Sequence, residues 1–351
     1  MTNKLLGIGV AFAITLLLIH MFTPIAQSIG LVDNPGGRKR HEGAIPLVGG
    51  PAMIGGLAFG ALVAVESLFH YRALFAGLAV LLIAGVLDDL KDISPRRKFI
   101  AQIAAALFMT SWGGVSVLGL GDLIGFGALH LGGWSVPFTI VCVLGLINAI
   151  NMTDGVDGLA AGLVMVALFF LGLSAYMTGQ IILLQLIGIS FSAVFAFWVL
   201  NMNFPWQSRA KVFMGDSGSM MLGFSLTWFS VDLCRTGEAV PPIVAVWFLA
   251  IPLLDMGVVI VRRLAKRRSP FKAGRDHLHH ILLVAGYRPE EVVYIAMGFA
   301  IFLGGTAMIV WQAGLPDWVL FFGFMFLLGL GYLVSRRAWR LARLFRRWHK
   351  T

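Results

Sequence analysis

With 351 residues, 58% of them hydrophobic and only 13% charged, and a mean hydropathy of +0.86, the chain is far too apolar for a water-soluble core of its length and reads as a polytopic membrane protein. Its net charge of +10 comes without any nucleic-acid-binding pattern, so nucleic acid is excluded as a partner and anionic lipids are expected beside the basic segments. Cys142 and Cys234 show no paired spacing, which argues against both a disulfide and a thiolate metal site.

A spanning helix needs ~20 mainly apolar residues. Eleven stretches are candidates, near 5–23, 47–69, 73–87, 97–113, 134–150, 158–177, 181–200, 218–234, 241–261, 292–312 and 318–335, the third being short. They predict an all-α bundle. The first lacks a small-x-small cleavage site and is expected to stay as a span rather than leave as a signal peptide. Eleven spans put the chain ends on opposite sides. Of the 27 Lys and Arg, 24 fall in the loops after odd-numbered spans and in the tail, so the N-terminus is expected outside and the C-terminus in the cytoplasm. The expected organisation is one transmembrane domain, 1–335, with cytoplasmic loops 24–46, 88–98, 151–157, 201–217 and 262–291. A basic amphipathic tail, 336–351, follows, its Lys and Arg interspersed with Trp339, Leu344, Phe345 and Trp348 as an interfacial helix requires.

In chain order, the first cytoplasmic loop carries Pro35, Gly36 and Gly37 before Arg38, Lys39, Arg40 and His41, a basic run that serves equally as a topology anchor or a phosphate contact. LDDLKD places Asp88 and Asp89 at the inner boundary, with Asp92 one turn on and Lys98 opening the fourth span. Carboxylates at that depth are costly unless used. The outer loop 114–133 offers only Asp122 and His130 and no evident chemistry. NAINMTDGVDG spaces Asn148, Asn151, Asp154 and Asp157 at intervals of three, about 60° apart round a helix, so that neighbours share a face and can grip one ligand. KVFMGDSGS sets Asp216 among glycines where a helix restarts, either as an N-cap or as a hard-cation ligand near the helix's positive end. Pro252 is expected to break the ninth span, with Asp255 behind it either pairing with Arg262 or acting at a groove open to lipid. The loop 262–291 holds Arg263, Arg275, His277, His279 and His280. With no Cys and no HExxH order, zinc is disfavoured there and an anion such as a diphosphate is favoured.

The topology returns these groups to one side of the membrane. Acids at that rim suit Mg²⁺, which takes one or two carboxylates together with substrate phosphate oxygens, while Arg, Lys and His meet the remaining phosphate charge. The absence of a GxxxxGK[ST] loop disfavours P-loop ATP hydrolysis. A lipid or sugar transporter is the rival class, and it would call for ionisable groups near the bilayer midplane rather than at one rim.

DNPGGRKRHEGAIPLVGG, LDDLKD, NAINMTDGVDG, KVFMGDSGS and RDHLHH, in this order, closely resemble the motifs of the polyprenyl-phosphate N-acetylhexosamine-1-phosphate transferases over nearly the whole chain. The resemblance implies transfer of GlcNAc-1-phosphate from UDP-GlcNAc to undecaprenyl phosphate with release of UMP, using Mg²⁺ or Mn²⁺, at the cytoplasmic face of the bacterial inner membrane. Such enzymes start O-antigen and enterobacterial common antigen chains. UDP-linked QuiNAc, FucNAc or GalNAc are the alternative donors. On these positions the resemblance implies Asp216 as principal metal ligand helped by Asn151, and Asp88 and Asp89 beside the acceptor phosphate with Lys98 in support. It likewise implies Arg263 and the histidines on the diphosphate, and Asp154 and Asp157 on the nucleotide side, with Asn148 and Arg275 in the same substrate-binding set. The displacement is expected to be a single in-line step, a covalent phospho-aspartate route being the competitor. The sequence leaves the oligomeric state open, a homodimer included.

Overall fold

A computed structural model describes residues 2–33, 43–205, 207, 209–235, 240–269, 274 and 277–348, giving the backbone alone at 2–4 and beyond 337. Thirteen α-helices occur among the described residues: α1 Thr2–Ile29, α2 Gly49–Ala64, α3 Arg72–Lys91, α4 Pro95–Leu107, α5 Ser135–Thr153, α6 Leu159–Met177, α7 Ile181–Asn201, α8 Gly215–Arg235, α9 Pro242–Phe248, α10 Ala250–Ala265, α11 Leu278–Ala285, α12 Pro289–Gln312 and α13 Asp317–Trp348. One short antiparallel pair, β1 Val32–Asp33 with β2 Ile45–Pro46, closes the base of the first loop. The protein is an all-α, multi-pass membrane protein, as composition requires.

All eleven apolar stretches are helical. Among the described residues seven helices are long and apolar enough to cross a membrane alone, or eight if the bent pair α9–α10 counts as one span. The stretch near 73–87 is stronger than its sequence suggests, because the helix begins earlier and the apolar run spans Phe69–Lys91. α2 has only 16 residues, α4 continues through a π turn at Phe108–Trp112, and α8 carries Asp216, Asp232 and Arg235. The bend of 86° falls at Leu249, three residues before Pro252. A proline cannot donate to the carbonyl four residues back and its ring crowds that oxygen, so the break belongs at Phe248–Leu249 rather than at Pro252 itself. α13 runs unbroken from the eleventh apolar stretch into the basic tail.

α8 is the axis of the site end, its residues from Ser217 to Val231 being buried almost without interruption. Three neighbours reach its backbone through glycine. A Cβ at Gly85 of α3 would overlap Ser217, one at Gly50 of α2 would overlap Gly218, and Gly223 lies against the backbone of Ile147 in α5. Among membrane helices such small residues replace the hydrophobic drive with close packing. α6 packs on α7 and α12, while α13 packs on α10 and α11. Phe302, Ile309 and Phe326 stand on the outer surface at 68%, 72% and 69% exposure, where lipid rather than water is the neighbour.

Candidate active site

The last turn of α3 carries Asp88 and Asp89. The next helix starts after Ser94 with Pro95 in its first turn, which brings Lys98 back towards the end of α3. Lys98 Nζ donates to Asp88 Oδ2 and, at 2.6 Å, to Asp216 Oδ2 at the start of α8. Asn151, near the end of α5, donates from Nδ2 to Asp216 Oδ1 at 3.0 Å and to Ser219 Oγ at 2.8 Å. One ammonium thus lies between two carboxylates, and four helices contribute to a single network. Asp88 is buried, and a buried carboxylate is tolerated only when paired. Its Oδ1 is itself buried and has no hydrogen-bond partner among the described residues.

Asp89 faces the other way. It accepts from Asp216 N at 2.8 Å, from Ser217 N at 3.4 Å and from Ser217 Oγ at 3.3 Å, so it caps the N-terminus of α8 from a different helix. The adjacent acids therefore divide the work. Asp89 holds the backbone of residue 216, and Asp88 meets its side chain through Lys98.

The loop between α5 and α6 is tied down by Asn201, which accepts from Gly158 N at 2.7 Å and donates to the Val212 carbonyl at 2.9 Å. Gly158 starts α6 in the left-handed region at φ 81°, and Trp198 Nε1 donates to its carbonyl at 3.0 Å. Asp154 reaches solvent although protein crowds it elsewhere. Its carboxyl is pushed up to about 7, first by desolvation and then by the charges of Asp216, Asp157 and Asp89. Asp157 lies half-buried beside it. Asn148 is turned to Gln102 Oε1 at 3.2 Å and to the Leu144 carbonyl at 2.7 Å, one turn beneath the Asn151–Asp216 pair.

His279 and His280 sit on α11 and His277 immediately precedes it, in a segment that reads as loop in the sequence. His277 Nδ1 lies 2.8 Å from Asp255 Oδ2, and Leu278 N donates to Asp255 Oδ1 at 2.7 Å. His277 and His279 stack with ring centres 5.9 Å apart, and His280 lies 4.1 Å from His279. Burial and then the neighbouring His280 lower the His279 imidazole to about 4, so at neutral pH it offers a hydrogen-bonding nitrogen rather than a cation. Arg262 and Arg263 are both buried at the end of α10. Arg275 and the basic run at 38–41 lie outside the described residues.

His279 joins the two halves of the site, because its ring lies directly on Gly155 and a Cβ there would overlap Nε2. Gly155→Ala should therefore push α11 off the acid loop. Overpacking of this kind costs about 1–3 kcal/mol. The expected result is a rise of roughly tenfold in KM for the nucleotide-sugar donor with a smaller change for the lipid, measured by steady-state product release.

The structure thus gathers Asp88, Lys98, Asn151 and Asp216 in one network, with Asp89 behind it and Asp154 facing it. Asn201 and Ser219 belong to the same end although neither stands out in the sequence, and Asp255, which the sequence leaves open between pairing with Arg262 and a functional role, meets His277 and the Leu278 amide. Asn201 had a usable signal, being an amide that closes an apolar helix as Asn151 does. Among the described residues no group of three or more His, Cys, Asp or Glu side chains is placed to hold a metal ion.

Residues 71–234, which carry the acid–lysine network, match the family model of glycosyl transferase family 4. The chain is 35% identical to the undecaprenyl-phosphate alpha-N-acetylglucosaminyl 1-phosphate transferase of Yersinia pestis over 97% of its own length and 93% of the relative's. Relatives of the same name in Escherichia coli O157:H7 and Haemophilus influenzae are also 35% identical, covering 96% and 98% of the chain and 92% and 97% of theirs. At that identity over both full lengths, the chain belongs to the undecaprenyl-phosphate alpha-N-acetylglucosaminyl 1-phosphate transferase family.

Proposed function

We propose that this protein transfers GlcNAc-1-phosphate from UDP-GlcNAc to undecaprenyl phosphate and releases UMP, with its site on the cytoplasmic face of the bacterial inner membrane. The observation that carries the reading is the bridge from Asp88 through Lys98 to Asp216 and Asn151 at the membrane rim, a place where a lipid-borne phosphate and a soluble nucleotide can meet. The clustering of Lys and Arg in the loops of that side supports the cytoplasmic placement. O-antigen or enterobacterial common antigen chains are the products such a step would start.

The residues present fit a divalent cation. Asp216 and Asp88 supply oxygen donors, the buried Asp88 Oδ1 has no hydrogen-bond partner among the described residues, and Asn151 steadies Asp216. Mg²⁺ or Mn²⁺ held there would neutralise charge on the transferring and leaving phosphates. In the transfer, an oxygen of the lipid phosphate attacks the sugar-bearing phosphorus and a new P–O bond forms. The bond to the bridging oxygen breaks, and UMP leaves with that electron pair. Asp88 orients the acceptor. A phosphate monoester with a second pKa near ~6 is already mostly dianionic at neutral pH, so no strong base is required. Lys98 offers positive charge to the incoming phosphates as it does to the two acids, and Arg263 with His277 and His280 would meet the diphosphate. Asp154 and Asp157 line the nucleotide side.

The test is UMP release by purified protein supplied with UDP-GlcNAc, undecaprenyl phosphate and Mg²⁺. Release that requires the lipid and stops with a chelator is the expected result. Release only from UDP-QuiNAc, UDP-FucNAc or UDP-GalNAc would keep the chemistry and change the donor, whereas folded protein inert towards every UDP-sugar would overturn the reading.

A further inference from the structure

We propose that Asp255 is a positioning residue. It fixes the tautomer of His277 and the start of α11, so that the His277 Nε2 edge faces the donor diphosphate, and the sharp bend between α9 and α10 serves to deliver this carboxylate. The inference rests on the proposed reaction for its ligand and on the geometry alone for the positioning.

Both carboxylate oxygens of Asp255 are committed to α11, Oδ2 to His277 Nδ1 at 2.8 Å and Oδ1 to the Leu278 amide at 2.7 Å. A carboxylate can only accept hydrogen bonds. The ring proton that Asp255 accepts must then sit on Nδ1, which makes Nε2 the opposite edge of the ring; Nε2 donates to a phosphate oxygen when it too carries a proton. The same side chain caps α11, whose first turn has no capping side chain of its own at His277. These two bonds determine where the histidine edge stands. His277 stacks on His279 with ring planes 6° apart, and the His279 ring lies against Gly155, so a shift at Asp255 passes to the acid loop through two aromatic contacts.

The surroundings of Asp255 are apolar, which is why its partners matter. A cavity of about 20 Å³ lies against it, lined by Thr153, Leu159, Leu163, Ile251 and Leu282 among others, and its side chain is only 13% exposed. A carboxylate so placed is costly without donors, and among the described residues His277 and the Leu278 amide supply them. The chain brings it there because α10 starts afresh after Leu249 at 86° to α9 and packs on α5 and α13. α11 in turn packs on α12 and α13. Asp255 is thus the polar link between the re-aimed helix and the histidine helix.

The experiment compares wild type with D255N, H277Q and D255N/H277Q in lipid nanodiscs. Histidine ¹⁵N NMR, with the His277 signal assigned by its loss in H277Q, reads the tautomer. KM for UDP-GlcNAc and for undecaprenyl phosphate reads the consequence. Wild type should show the proton on Nδ1, and D255N should lose that form, because its amide can turn a donor towards Nδ1. Donor KM should rise about tenfold in D255N with acceptor KM within twofold, and the double variant should be no worse than H277Q. An unchanged tautomer in D255N would overturn the positioning role, and so would single-variant losses that multiply in the double. Thermal melting guards against unfolding, and if D255N is unstable the wild-type spectrum still decides, because a His277 proton absent from Nδ1 overturns the role. Should wild type turn over no UDP-sugar, the proposed reaction fails, and the NMR result still decides the role of Asp255.

Discussion

Asp216→Ala should remove transfer almost completely while leaving the fold standing. The carboxylate takes a hydrogen bond from Lys98 at 2.6 Å and another from Asn151 at 3.0 Å, and both are lost together with the oxygen donors proposed for the cation. Removing one group aimed at developing charge typically costs about 10²–10³ in rate. Losing a proposed cation ligand as well sets the expected drop at roughly 10³-fold or more. The fold is spared because Asp89 caps the backbone N–H of residue 216, not its side chain. Stability should fall by no more than about 1–3 kcal/mol, the usual range for a charged hydrogen bond. UMP release and thermal melting, measured on the same preparation, check both halves. A variant with near-normal turnover would remove Asp216 from the centre of the site, and one that does not fold would show that the side chain holds α8 as well.

Much of this site was legible because each acid breaks an apolar run at a point where burial would otherwise penalise it. Asp88, Asp89, Asn151, Asp154 and Asp216 all announce themselves in that way, and the alternation of spans brings them to one rim. What each acid does was not legible. Asp88 and Asp89 are neighbours on one helix end, and nothing local says that one meets Lys98 while the other caps a helix that begins more than a hundred residues later. Asn148 shares the spacing of Asn151, but its helix turns it towards Gln102. The partner of Asp255 is open in sequence between Arg262 and a functional role; in the fold its partners among the described residues are His277 and Leu278, because α11 forms within what reads as a loop. The position of the bend shows the same limit. Pro252 signals a break, but the carbonyl it cannot serve lies four residues earlier, and there the helix turns.

Gly215→Ala should damage stability and activity together, which distinguishes it from Asp216→Ala. Gly215 opens α8 at φ 69°, and a Cβ at this residue would overlap Asp89 Oδ2. An L-residue in the left-handed region costs about 1–2 kcal/mol. Displacing Asp89 also strands the amides of Asp216 and Ser217, at about 1–3 kcal/mol for an unsatisfied buried group. The expected destabilisation is therefore about 2–4 kcal/mol, with transfer falling because residue 216 no longer meets Lys98 and Asn151 in register. Gly298→Ala is the matching control. That residue is exposed within α12, has ordinary backbone angles and has nothing within 4 Å of its added Cβ, so it should gain up to about 1 kcal/mol and keep full activity. Thermal melting in detergent separates the two substitutions. If Gly215→Ala melts like wild type and still turns over, the N-terminus of α8 has another means of holding its angle. The division of labour between Asp88 and Asp89 would then have to be redrawn.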